Sequence, residues 1–154
     1  MSERDEVLGV LATHRRGLRR ALDGLDDVDA VRRPTVSALC LAGLVKHVAY
    51  AEEMWIDFVE RGEKVDDLER YAASFGLEPG ETVAGVLDRY DAAARRTEEV
   101  VAALPDLDVR HPLPDAPWYP DDSFSARQVL LHLIAETSQH AGHADILRET
   151  LDAA

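Results

Sequence analysis

The sequence predicts an all-α protein, a four-helix bundle. Three observations carry that expectation. Four long stretches repeat apolar residues at the three-and-four spacing of a helix buried on one side. Glycine and proline mark the breaks between them. The chain has 154 residues, 46% hydrophobic and 31% charged, a normal mix for one soluble domain with a real core.

The first helix is expected from about Glu3 to about Leu22, with Ser2 as its N-cap and Gly24 as its stop. Val7, Leu8, Leu11, Leu18 and Leu22 form its apolar stripe. Arg15, Arg16, Arg19 and Arg20 crowd the remainder, and in so acidic a chain they are expected to pair with Asp and Glu on a solvated face. Asp26 to Pro34 is a connector. Thr35 or Ser37 then caps a second helix that runs to about Glu60 and stops at Gly62. On it, His47 lies one turn from Leu44 and from Ala51, so its ring faces the core side. Cys40 reads as a small buried hydrophobe.

Glu63 to Pro79 is long for a bundle connection, so a short helix or turn is expected around Asp66 to Phe75. Gly80 or Thr82 opens a third helix, which ends near Leu104 before Pro105, with Tyr90 at its core or rim. Asp106 to Phe124 carries four of the seven prolines, at 112, 114, 117 and 120. Such a segment is ordered without being helical, and loops of this length often serve as lids or binding loops. Trp118 and Tyr119 within it either wall a binding cavity or cover one end of the core. His111 is expected on the surface. The fourth helix starts on the capping-box pair Ser125 and Gln128 and continues to about Leu151, packing through residues that include Leu130, Leu133, Ile146 and Leu147.

The formal charge of -13 argues against nucleic acid and anionic membranes as partners. No apolar run is long enough to span a bilayer. The N-terminus lacks a basic-then-apolar signal pattern, and one cysteine excludes an internal disulfide. The expected location is therefore cytoplasmic.

Chemistry concentrates on the last helix. Glu136 and His140 are four apart and converge on one face. His47, on the second helix, is the natural third ligand for a divalent metal. Two imidazoles and a carboxylate leave open positions for water or substrate and suit Zn, Ni, Fe or Mn. His143, one turn past His140, reads as a fourth ligand, a partner behind the ligands or an acid/base group. His132 reads as an outer neighbour. The order of residues is not the metalloprotease H-E-x-x-H.

The blocks SALCLAGLVKHVAYAEEMW and LLHLIAETSQHAGHADILRETLD, with the opening ERDEVLGVLATHRRGLRRALDGLDD, resemble the DinB-like superfamily, and within it the actinobacterial mini-circle-protein branch. The resemblance covers nearly the whole chain. It implies one domain over residues 1–154, a bundle of up-down-down-up connectivity, and a homodimer. It also implies a divalent metal held by one histidine on the second helix and two ligands four apart on the last, here His47, Glu136 and His140. Many superfamily members have histidine where Glu136 stands, and the related mycothiol-dependent maleylpyruvate isomerase branch has glutamate. Many relatives have H-R-G-Q where this chain has His140, Ala141, Gly142 and His143.

Several members of the superfamily use bacillithiol or mycothiol. The implied activity is a thiol-dependent transferase or isomerase acting on a small electrophile. In it a low-molecular-weight thiol is activated at the metal, His143 shuttles a proton, and Trp118 with Tyr119 closes over the substrate. The alternatives are a metal-dependent hydrolase and a non-enzymatic, metal-binding dimeric bundle.

Overall fold

Most of the long helices begin where the chain offers a side-chain cap. Ser2 and Asp5 form a capping box at the start of α1 (Glu3–Arg20), and Ser125 and Gln128 form one at the start of α5 (Ala126–Asp152). The Thr82 hydroxyl accepts from the Gly85 amide at 3.1 Å and opens α4 (Val83–Ala103). The exception is α2 (Leu41–Arg61). It starts at Cys40 with no side-chain cap, several residues later than expected. Thr35 and Ser37 instead accept from the amides of Ser37 and Leu39, each two residues on. These hydroxyls make local turns rather than a helix start. At its other end α2 stops at Gly62, whose φ of 73° is the left-handed cap that glycine adopts freely.

The computed structural model describes residues 1–154. Besides these four helices it contains a short helix, α3 (Leu68–Ala73), a 3-10 turn at Asp29–Val31, and a small hairpin of β1 (Arg110–Pro112) with β2 (Ser123–Ser125). The hairpin is the ordered part of the proline-rich segment. Its pairing of His111 with Phe124 lays His111 across the end of α2. His111 is thus half-buried rather than on the surface: its Nε2 is 3.1 Å from the Val59 carbonyl and its ring meets Phe58 edge-on.

The apolar core has two halves. Leu18, Leu44, Tyr90 and Leu147 belong to one, and Leu11, Phe58, Val101 and Leu130 to the other. Helix α1 runs from the second half to the first, α2 and α4 run the opposite way, and α5 runs back. This is the up-down-down-up bundle. Its main interfaces are α1 on α5 and α2 on α4, with α2 on α5 next. Ile146 takes no part in the core. It is 60% exposed, because the inward stripe of α5 passes through Leu147 beside it.

Because α2 and α4 are adjacent and parallel, residues 62–82 must carry the chain back along the length of the bundle. This strap includes α3 and lies against α2. Lys46 fastens it: the ammonium donates to the Gly76 carbonyl at 2.9 Å and pairs with Glu81 at 2.7 Å. Gly43 lets it come close, since a Cβ there would lie 1.9 Å from the Phe75 carbonyl oxygen.

A polar layer separates the two halves of the core. Arg15 is 7% exposed and Glu52 1%. The Arg15 guanidinium makes a two-pronged pair with the Glu52 carboxylate, which also accepts from the Thr97 hydroxyl at 2.5 Å. Arg19, paired with Asp91 at 2.6 Å, follows the expected solvated pattern. Arg15 does not, since it falls between Leu11 and Leu18 on the buried stripe and enters the core to meet a carboxylate. No helix is long and apolar enough to cross a membrane.

Arg15→Met strands a buried carboxylate and should cost about 3–5 kcal/mol, whereas Arg15→Met with Glu52→Leu should recover most of that loss. Urea unfolding of the three proteins measures both. A double variant as weak as the single one would show that the layer is a net source of stability.

Candidate metal centre

His47 of α2 faces Glu136 and His140 of α5. Glu136 Oε2 lies 3.8 Å from His47 Nε2 and 3.5 Å from His140 Nε2. One donor atom from each residue lies within 4.8 Å of the other two. His47 is 1% exposed and the other two are half-buried. Two imidazoles and one carboxylate converging on a point fit a divalent cation in donor type and number.

The strap determines which nitrogen His47 offers. The Ser74 hydroxyl donates to the Tyr71 carbonyl at 2.6 Å, so its hydrogen is committed. Its oxygen must therefore accept from His47 Nδ1–H, 2.8 Å away. That tautomer leaves the Nε2 lone pair directed at Glu136 and His140, as metal ligation requires. Phe75 stacks on the same imidazole with centroids 3.8 Å apart, and Tyr71 meets it edge-on at 5.2 Å.

The neighbouring imidazoles of His140 and His47 hold the Glu136 carboxyl far below the usual carboxylate range, against the burial that alone would raise it. On the far side of His140, Nδ1 lies 3.2 Å from His143 Nδ1. The structure thus places His143 against the ring nitrogen opposite the one that faces Glu136, outside the converging group. His132 Nε2 is 4.0 Å from the other oxygen of Glu136. Burial pushes the His132 imidazole below its ordinary value.

A cavity of about 460 Å³ adjoins the triad, and Trp55, Tyr71, Trp118, Tyr119 and His132 are among the residues that line it. Tyr71 also touches His47, and His132 also approaches Glu136, so these two lining residues stand between the cavity and the triad. Trp118 is 59% exposed at its mouth. The Tyr119 hydroxyl donates to Asp66 at 2.8 Å. Reading the sequence missed Ser74, Tyr71 and Phe75, which hold His47, and missed Trp55 and Lys64 as cavity residues. The one available sign was Gly43, a glycine inside an otherwise apolar helical run, which marks a close backbone approach.

Ser74→Ala removes the acceptor that selects the His47 tautomer. It should weaken divalent-metal affinity roughly 10–100-fold while leaving the bundle folded. Calorimetric titration with Zn²⁺, alongside circular dichroism, tests this; unchanged affinity would show that Ser74 does not orient the ligand.

The model of one protein family, mycothiol-S-transferase, matches residues 6–153. No curated protein matches the sequence. Among solved structures, a conserved protein from Enterococcus faecalis is similar with a TM-score of 0.72, covering 100% of this chain and 99% of that one at 14% identity. At that identity the likeness is one of fold. Since the family match takes in almost the entire chain, the protein belongs to the mycothiol-S-transferase family.

Proposed function

We propose that the protein transfers the thiol of mycothiol to a small electrophile, using a divalent metal held by His47, Glu136 and His140. The supporting observation is the convergence of these three side chains beside an open, largely apolar cavity, in a chain of this family. Two imidazoles and a carboxylate favour zinc, and nickel, iron or manganese share the donor set. A divalent cation in this position supplies Lewis acidity that lowers the pKa of a coordinated thiol toward neutrality.

The chain's own residues prepare the rest. Ser74 holds His47 in the ligating tautomer. Glu136 brings a negative charge that offsets the cation. His143 fixes the orientation of His140 through the Nδ1 contact. Trp118 and Tyr119 wall the electrophile and limit water on that side. In the transfer the sulfur–carbon bond forms as the bond to the leaving group breaks, the leaving group takes the electron pair, and the thiol proton passes to solvent.

The test joins elemental analysis of untagged protein with thiol consumption, using mycothiol and 1-chloro-2,4-dinitrobenzene. Wild type should carry near-stoichiometric metal, and His47→Ala and His140→Ala should lose it, with turnover lower by at least about 100-fold. Hydrolysis of model esters in the absence of any thiol would overturn the assignment in favour of a hydrolase. In the same assays His143→Ala should lower metal occupancy. Full occupancy with lost turnover would instead assign His143 the transferred proton.

A further inference from the structure

The cavity beside the triad has a composition that selects its occupant. Aromatic side chains dominate its lining, and the Trp55 and Phe124 rings within it lie nearly parallel with centroids 5.6 Å apart. Lys64 is the single Lys or Arg among the lining residues. Its side chain is only 3% exposed, and its ammonium lies 2.5 Å from Asp66 Oδ1 and 3.4 Å from the Met54 sulfur. The same ammonium sits 4.8 Å from the Trp55 ring centroid and 5.4 Å from that of Tyr119. Its charge is therefore committed to Asp66 and to two ring faces. A second carboxylate, Asp67, also borders the cavity, engaged with the Arg70 amide at 2.9 Å.

We infer that this cavity receives the flat, uncharged, apolar body of an aromatic compound and turns anions away. An anion entering it would lose hydration, find the one lysine of the lining already paired and meet two carboxylates. A neutral ring would instead displace water from aromatic faces, and the volume of about 460 Å³ lies within the range of small-molecule sites. The role of this cavity in catalysis, as the pocket for the electrophile, rests on the transferase reading. On that reading the favoured electrophiles are neutral and aromatic, and dicarboxylates are disfavoured.

Binding of two probes with one ring system tests the inference on metal-replete protein: naphthalene-2-methanol, which is neutral, and naphthalene-2-sulfonate, an anion that ligates metals weakly. Calorimetry should show the neutral probe bound at least about tenfold more tightly. Leu68→Asp and Trp118→Ala, both at exposed positions on the cavity rim, should each weaken it at least about fivefold. Asp66→Asn should narrow or reverse the preference by freeing the Lys64 charge, an effect that a purely structural role for Asp66 would not produce. Equal or tighter binding of the sulfonate by wild type would overturn the inference, as would neutral-probe affinity indifferent to both rim variants. No thiol or turnover enters the measurement, so failed thiol transfer leaves this result standing, and indifference between the probes leaves thiol transfer standing.

Discussion

The side-by-side, parallel packing of α2 and α4 is the constraint on which the rest of the molecule depends. Antiparallel neighbours can be joined by a short turn, but parallel ones need a connection as long as the helices themselves. Residues 62–82 provide that return. In crossing the bundle the strap passes the cavity with Lys64 and Leu68, then His47 with Tyr71, Ser74 and Phe75, and finally meets Lys46 near its end. The connectivity thus brings a second layer of side chains over a buried histidine that bundle helices alone would leave without a partner on Nδ1.

The centre therefore draws on two kinds of support. Its donors stand on α2 and α5, whose relative height is set by well-packed apolar layers at both ends of the bundle. The Arg15–Glu52–Thr97 layer adds directional bonds between α1, α2 and α4 at an intermediate level. Buried ion pairs contribute little net stability but can favour one register of packed helices over others. The finer adjustment, the choice of imidazole nitrogen, comes from the strap. Rigid helices set the distances, and a connecting segment sets the protonation pattern.

Much of this was legible in the sequence because it follows from helical periodicity and capping chemistry. Ser2, Thr82 and Ser125 announced their helices, Gly62 announced a stop, and the i,i+4 relation of Glu136 and His140 put both on one face. His47 declared itself by facing inward. What stayed hidden depends on contacts between residues distant in the chain. Arg15 read as solvated because nothing local reveals that Glu52, 37 positions later, lies opposite it. His111 read as surface because its burial requires the hairpin to fold over the end of α2. The start of α2 was misplaced because Thr35 and Ser37 are good caps, and equally good turn formers. Ser74 was invisible since the strap's path is set by bundle topology and not by its own composition.

The strap's α3 buries none of its residues. It is held by a few anchors: the Asp67 cap, the Lys46 bonds and the Phe75 stack. Segments with few buried apolar contacts open at lower free energy than the cores they cover. The piece of chain that sets the His47 tautomer is thus also the piece that can lift while the bundle stays folded. Ligand occupancy and strap closure then share one thermodynamic cycle: whatever binds more tightly to the closed form slows amide exchange along residues 68–75, and whatever frees the strap loosens the grip on the ligand by the same factor.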